Sequence, residues 1–440
     1  MSRVWSEENK FASWLKVEIA AVQAWADLGA VPREDAARIA ANASFRLEDV
    51  ERYEREMHHD MNSFLRSVSD SLGPESRWLH LGLTSYDTED PATALRMVEA
   101  AAIIAEDLRK LEEAIAARAL EHKDTLMMGR THGMHAEPIT FGLKLLNWLD
   151  EVRRDQQRLE AAKQDIAVGK LSGPVGSHAT VPPELEERVC AKLGLGVDAV
   201  STQVVSRDRH AHFMQTLALI GASLERFATE VRHLQRTEVG EAEEPFSTGG
   251  LDLHLRPLEG QALRHQQGSS SMPHKRNPEK CERVCGLARV LRANSLAALE
   301  NVALWHERDI SQSSVERVIL PDSCIVLDYI LDLFTSIVRG LVVYPQRMRE
   351  NMELTHGVVF SQRVLLTLVE KGMSRQDAYP PVQQAAHLAL EQRRPFRETI
   401  AEQHGVTQRL TAAELDALFD YAYFTREVDK SFARMGLLGD

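Results

Sequence analysis

A membrane-length apolar run is missing from this chain of 440 residues. The longest strongly apolar stretch, Ile325 to Val343, is broken by Asp328, Asp332 and Arg339, and no segment reaches the roughly 20 apolar residues that cross a bilayer. Positive charge is in deficit: 52 Lys and Arg stand against 65 Asp and Glu, a formal net charge of −13. That balance argues against recognition of nucleic acid or of an anionic membrane, which both need basic surface against phosphate. It leaves room for a local basic pocket that takes a small anion. The opening residues Met1-Ser2-Arg3-Val4-Trp5-Ser6-Glu7-Glu8 carry neither the apolar core nor the small-residue cleavage site of a signal peptide. Cysteine is scarce: Cys190, Cys281, Cys285 and Cys324 are all there are. Cys281 and Cys285 share a helix face, but no second pair follows at zinc-site spacing, so they read as reduced thiols of a cytoplasmic protein. Strand signals are few, and the short alternating runs never pair across an Asn-Gly or Asp-Gly turn.

What is present has helical period. Trp14, Leu15, Val17, Ile19, Val22, Trp25 and Leu28 recur as one stripe that Gly29 closes. Similar stripes run from Met97 to Leu120, Phe141 to Ile166, Leu217 to Leu234 and Val290 to Val302. Ser323 to Val338 is apolar nearly all round, which predicts a helix buried on every side. The expectation is an all-α protein of long helices. Several are Ala-rich and apolar over more than one stripe, so homo-oligomeric bundling is expected, because exposed apolar surface forfeits about 25 cal/mol per Å². At roughly 100–200 residues per domain the length predicts about two to four domains. Composition, 44% apolar and 27% charged, is that of an ordinary globular chain.

Four polar segments break the helical pattern. One holds His58-His59-Asp60 and then His80-Leu81-Gly82-Leu83-Thr84-Ser85-Tyr86-Asp87. A second is Gly129-Arg130-Thr131-His132-Gly133-Met134-His135-Ala136-Glu137-Pro138. A third is Gly268-Ser269-Ser270-Ser271-Met272-Pro273-His274-Lys275-Arg276-Asn277-Pro278, with Glu282 beyond it. The fourth runs from Trp305 through His306-Glu307-Arg308-Asp309 to Ser313 and Arg317. Each has a bland reading. A lone histidine is usually a surface or satisfied core residue. His135 and Glu137 could be a structural pair, and the Trp305 segment a solvated charged face. His58-His59 lacks the HExxH spacing of a metal site. Gly173-Pro174-Val175-Gly176 is too short for a dinucleotide loop and follows no strand. The serine-rich run is a poor linker, since it mixes two prolines with cationic and amide donors.

Gly268 to Pro278 resembles the signature loop of the fumarase/aspartase superfamily, of general form GSSxMPxKxNP. His274, the Thr-His-Gly-Met-His-Ala-Glu-Pro segment, Ser201-Thr202-Gln203, Arg207-Asp208-Arg209-His210 and Trp305 to Arg317 resemble its adenylosuccinate lyase branch. His274 and the Trp305 segment do not suit argininosuccinate lyase or fumarase. The resemblance covers the chain from Trp5 onward. It implies a three-domain fold: an N-terminal helical domain over 1–90, a central long-helix bundle over 91–339 and a C-terminal helical domain over 340–440. It also implies a homotetramer built on that bundle, with each site shared between subunits.

The implied reaction is anti β-elimination of fumarate from an N-substituted aspartate, as in cleavage of adenylosuccinate or of succinylaminoimidazole carboxamide ribotide in purine biosynthesis. A base removes a proton from the carbon beside a carboxylate, the carbanion spreads onto that carboxylate, and an acid protonates the leaving nitrogen. By position in the motifs, Ser269 is the base, with Ser270 beside it, and Lys275 stabilises the developing charge. His132 is the general acid, oriented by His59 and Glu282. Asn277, His80, Thr84, Ser85, Thr131 and Gln203 match substrate-contacting positions. Arg308, Ser313 and Arg317 match those that hold the nucleotide end, where arginine suits bidentate binding of an oxyanion. No metal and no organic cofactor is required by acid–base and electrostatic chemistry. The expected partners are a small anionic substrate and further copies of the chain, with no nucleic acid or membrane.

Three departures bear on the substrate. The Arg-Tyr segment that usually precedes the helix from Glu8, and that contacts phosphate, is not in the sequence. Tyr86 follows Thr84-Ser85 where a small or acidic residue is usual. Ser247 to Gln267 is longer than the usual link into the signature loop, which is expected to close over substrate. Two substrate readings result: a nucleotide, favoured by Arg308 and Arg317, or a smaller N-succinyl compound such as a hydrazinosuccinate or acylhydrazinosuccinate of secondary metabolism, favoured by the missing Arg-Tyr and by Tyr86. An inactive scaffold would predict erosion of the catalytic set, but Ser269, Lys275, Asn277, His132, His59 and Glu282 are all present.

Overall fold

The structure, a computed structural model, describes residues 1–246, Met272 and residues 274–438. Helix α1 (Glu7–Asp27) begins where the Ser6 hydroxyl accepts the Asn9 backbone N–H at 3.1 Å, with Glu7 and Glu8 against the positive helix end. It stops at Leu28, and Gly29 then adopts φ +81°, the left-handed conformation that ends helices. Helices α2 (Arg33–Asn42), α3 (Leu47–Met57) and α4 (Asp60–Asp70) follow. The long helices are α5 (Ser85–Glu121), α6 (Phe141–Ile166), α8 (Arg207–Leu234), α9 (Glu279–Glu300) and α10 (Ser311–Gly340), with α7 (Pro183–Leu193) between α6 and α8. Shorter helices from Pro345 to Arg434 complete the chain.

The chain divides into two units: Met1–Arg109 with Arg154–Glu225 and Val284–Asp332, and Lys110–Arg153 with Arg226–Arg283 and Leu333–Asp440. In the first, Phe11, Trp14 and Phe64 form an aromatic centre. Phe11 stacks on Phe64 at 5.6 Å between ring centroids, and Trp14 meets both edge-on. Val17, Val50, Met61 and Leu185 are buried around them. In the second unit, Trp148 stacks on Phe227 at 5.0 Å, and a separate cluster around Val364, Leu368, Phe396 and Val406 holds the C-terminal helices together. The four cysteines are buried and form no disulfide. No described helix is long and apolar enough to cross a membrane.

The chain is mostly helical, as expected, with two differences in detail. Leu126–Thr131 (β1) and Met134–Thr140 (β2) form an antiparallel hairpin, with Thr131 opposite Met134. Its turn residues are His132 at φ 54° and Gly133 at φ 76°, the two left-handed positions a two-residue hairpin needs. A histidine seldom signals such a turn, so no strand is expected here from the residue pattern. The second difference is α10. Its stripe Asp322, Ile325, Tyr329, Asp332 and Ser336 is exposed while Cys324, Leu327, Ile330, Leu331 and Phe334 are buried, so within one chain this helix is not covered on all sides.

Phe64→Ala removes the ring shared by Phe11 and Trp14 and should cost about 3–5 kcal/mol. Chemical denaturation is expected to show a clearly lower midpoint; a loss below about 1 kcal/mol would mean that this centre does not hold the unit together.

Candidate active site

The first unit builds one group of site residues on the start of α5. Thr84 sits just before the helix, and its backbone N–H donates to Asp87 Oδ2 at 2.9 Å, half of a capping box. The other oxygen of Asp87 accepts Lys170 Nζ at 2.6 Å and the backbone N–H groups of Ser172 and Gly173. Both Asp87 and Lys170 are fully buried. Lys170 passes its remaining donors to the carbonyls of Gly173 and Gln203, at 3.1 and 2.8 Å. The ion pair thus sets Thr84 and Ser85 against the segment that carries Gln203. One turn further on, Asp90 takes a two-pronged bond from Arg207, whose Nε also reaches Glu316 at 2.9 Å. Burial works against ionising Asp90, but Arg207 outweighs it and keeps the carboxyl below its ordinary range. Burial pushes Glu316 up.

Above this floor lies a cavity of about 320 Å³ bordered by Ser85, Tyr86, Glu89, Arg308, Ser313 and Arg317, with His59 and Asp60 at its edge. Gln203 Oε1 accepts Arg308 Nη1 at 2.9 Å, and the Gln203 amide is itself fixed by the Pro174 carbonyl. The Arg308 guanidinium lies 3.8 Å from the centre of the Tyr86 ring, a cation–π contact. Its Nε and Nη2 are buried with no partner among the described residues. Two unspent charge-assisted donors on a fixed guanidinium suit an oxyanion ligand. Arg317 pairs with Asp60 at 2.7 Å. His59 caps α4, with Nδ1 accepting the Asn62 N–H at 3.4 Å. Glu89 borders this cavity and an adjoining one that Trp5 and Trp14 back. Burial, helped by Asp60 and Asp90, pushes its carboxyl up to about 7.

The second unit carries the other described candidates. Thr131 and His132 are exposed at the hairpin tip. Behind them Arg130 makes two bonds, of 2.6 and 2.8 Å, to the fully buried Glu241. Lys275 closes a turn on the Met272 carbonyl at 3.0 Å, and its neighbour Arg276 bonds Glu243 at 2.9 Å. Glu244 caps α9 by accepting the N–H groups of Lys280 and Cys281. Glu282 stands exposed in the first turn of that helix, and Asn277 just precedes it. Ser269, Ser270 and the long link from Ser247 to Gln267 lie outside the described residues. No group of three or more potential metal ligands occurs among the described residues.

Sequence reasoning placed His59, His80, Thr84, Ser85, Gln203, Arg308, Ser313 and Arg317 as candidates, and the structure sets all eight in the first unit. It missed Glu18, Asp87, Glu89, Asp90 and Lys170. The Thr84 to Asp87 spacing is a capping signal that could have found Asp87; Glu18, Asp90 and Lys170 have partners too far along the chain to be read locally.

A family model described as "Lyase" matches residues 1–251, and one described as "Adenylosuccinate lyase C-terminus" matches residues 357–435. The chain is 47% identical over 437 residues to an adenylosuccinate lyase of Bacillus subtilis, covering 99% of this chain and 98% of the relative. It is 49% identical over 438 residues to the adenylosuccinate lyase of Aquifex aeolicus, covering 99% and 97%. Among solved structures it resembles a fumarate lyase from Mesorhizobium sp. BNC1, with a TM-score of 0.87 at 26% identity, covering 98% of this chain and 96% of that one.

Glu89 makes stability depend on pH in a defined direction. Its folded-state value near 7 lies above the ordinary carboxyl value of 4.5, so the stability gained by protonating it in the fold is present below about 4.5 and is lost as pH rises toward 7. Glu89→Gln, which cannot ionise, should therefore unfold at a higher temperature than the parent at pH 8, by a margin that shrinks toward pH 5. A margin that does not change with pH would contradict the burial of this charge.

Proposed function

The chain belongs to the adenylosuccinate lyase family, and we propose that its substrate is adenylosuccinate itself, split into fumarate and AMP in purine biosynthesis. Near-half identity to two curated adenylosuccinate lyases over essentially the whole chain carries this reading. The same likeness disfavours the smaller N-succinyl substrate. Tyr86, which had suggested a redirected pocket, lies under Arg308 as its support.

The chemistry follows from the residue types. Ser269 takes the proton from the carbon beside the succinyl carboxylate, and the electron pair moves onto that carboxylate. Lys275 stabilises the charge that develops there. The pair then returns to form the fumarate double bond as the carbon–nitrogen bond breaks, and His132 gives its proton to the leaving nitrogen. His59 and Glu282 orient His132. Asn277, Thr131, Ser270, Thr84, Ser85 and Gln203 position the substrate. Arg308, Ser313 and Arg317 take the phosphate; the two unspent donors of Arg308 support that assignment.

The working form is a homotetramer whose sites are shared between subunits. Leu296, Leu299, Val318, Ile325 and Tyr329 on α9 and α10 are exposed in the single chain, the kind of apolar surface that subunits cover. Four buried thiols without a disulfide fit the reducing cytoplasm.

Purified protein should release fumarate from adenylosuccinate at about 1–10³ per second, followed by absorbance. The Ser269→Ala and His132→Ala proteins should be silent yet still assemble. No turnover by folded wild type would overturn the substrate, and activity of either variant within a few-fold of wild type would overturn its role. Arg317→Ala should raise KM for adenylosuccinate about ten- to hundredfold, as expected for loss of a charge-assisted bond. The same variant should barely alter KM for the dephosphorylated nucleoside. Equal effects on both substrates would remove Arg317 from the phosphate site.

A further inference from the structure

Glu18 is a fully buried carboxylate on α1, where a charge persists only if it is fully engaged. Its Oε2 accepts the backbone N–H of His80 at 2.9 Å. Its Oε1 meets the imidazole Nδ1 of His80 at 2.7 Å and accepts the Thr88 hydroxyl at 2.6 Å. All three bonds go to the segment that carries Thr84 and Ser85. That segment is held elsewhere too. The Trp25 indole N–H donates to the Leu81 carbonyl at 3.0 Å. Gly82, at φ +75°, sits where a Cβ would come within 2.7 Å of the Thr180 carbonyl oxygen. His80 itself adopts φ 56°, a left-handed conformation that costs a non-glycine residue energy and survives where surrounding bonds over-determine it.

A carboxylate only accepts, so the proton of the short His80–Glu18 bond belongs to Nδ1. The ring's other nitrogen, Nε2, has no protein partner among the described residues and is the atom left to meet a ligand. The charged groups acting on the ring are Glu18 from α1 and Asp87 and Glu89 from α5, of which Asp87 is already committed to Lys170. Burial alone would push His80 down. The bond to Glu18 and its charge, with the two α5 carboxylates behind it, outweigh burial and raise the ring above its ordinary value.

We propose that Glu18 is a positioning residue for the elimination, holding His80 as an imidazolium whose Nε2–H offers an anionic group of the substrate a charge-assisted hydrogen bond. The assignment rests on the reading that the substrate is anionic. Glu18 acts through His80 and does not itself touch the reacting atoms. Because the cation binds the anion, KM rises as pH climbs through the titration of His80.

Glu18→Gln tests this. Glutamine removes the charge and cannot accept all three donors. Trypsin releases residues 78–96 with His80 as the sole histidine, so carbethoxylation of that peptide in the intact enzyme, measured against pH by mass spectrometry, reports the ring's midpoint without any substrate. In Glu18→Gln the midpoint should fall by about one pH unit or more. KM for adenylosuccinate at neutral pH should rise about tenfold, its alkaline limb setting in at lower pH with the midpoint, with kcat within a few-fold of wild type. An unchanged midpoint, or a loss in kcat with KM and its pH profile intact, overturns the proposal. If Glu18→Gln does not fold, His80→Gln in the wild-type background decides: it should show the raised KM and a flat profile, and a retained alkaline limb overturns the proposal. Wild type that fails to cleave adenylosuccinate would refute the substrate while leaving the midpoint comparison standing.

Discussion

Buried charge at the first turns of α5 governs the architecture around the candidate cleft. Asp87 and Asp90 face two different cations, Lys170 and Arg207, each drawn from a distant part of the chain. Taking such charges out of water is expensive, and losing one partner of a buried pair costs about 3–5 kcal/mol. The arrangement therefore admits little variation: α5 must begin where it does, with Thr84 and Ser85 at its tip. The same pairs bring in backbone groups. Lys170 fixes the Gln203 carbonyl, and Asp90 accepts the Val205 N–H at 2.7 Å. Gln203 then aims Arg308. The direction of one guanidinium thus traces back, bond by bond, to a salt bridge that never meets solvent.

This acidic chain sets two arginines, Arg308 and Arg317, in a cavity that Glu54, Asp60 and Glu89 also border. The net charge of −13 says nothing about a pocket where Arg308 keeps two donors unspent and Arg317 is only partly offset by Asp60. Local fields in clefts are set by the nearest fixed charges. The raised value of Glu89 reflects the cost of ionising a buried carboxyl beside Asp60 and Asp90.

Much of this was legible in the sequence. The helical stripes predicted α1, α6 and α8, since burial at a 3.6-residue period leaves a direct record. The Gly268 to Pro278 motif carried the family because its chemistry demands those residue types in one stretch. The hairpin was not legible, because His132-Gly133 makes a turn usually announced by Asn-Gly. The partners of Glu18, Lys170 and Arg207 were not legible either. Glu18 lies 62 residues from His80 and Arg207 lies 117 from Asp90, and no local pattern marks a residue whose partner is that remote. Tyr86 was legible as a departure and favoured the smaller substrate. That the ring is buried with the Arg308 guanidinium over its face was not legible.

The four thiols, all buried, carry a practical consequence. Burial pushes Cys190 up to about 12 and Cys324 further still, so little of either exists as the thiolate that alkylating agents and oxidants attack. A surface cysteine placed at will would be far more reactive than either of them. With all four native thiols at 2% exposure or less, the folded chain suits a single fluorescent or spin reporter carried on an added surface cysteine.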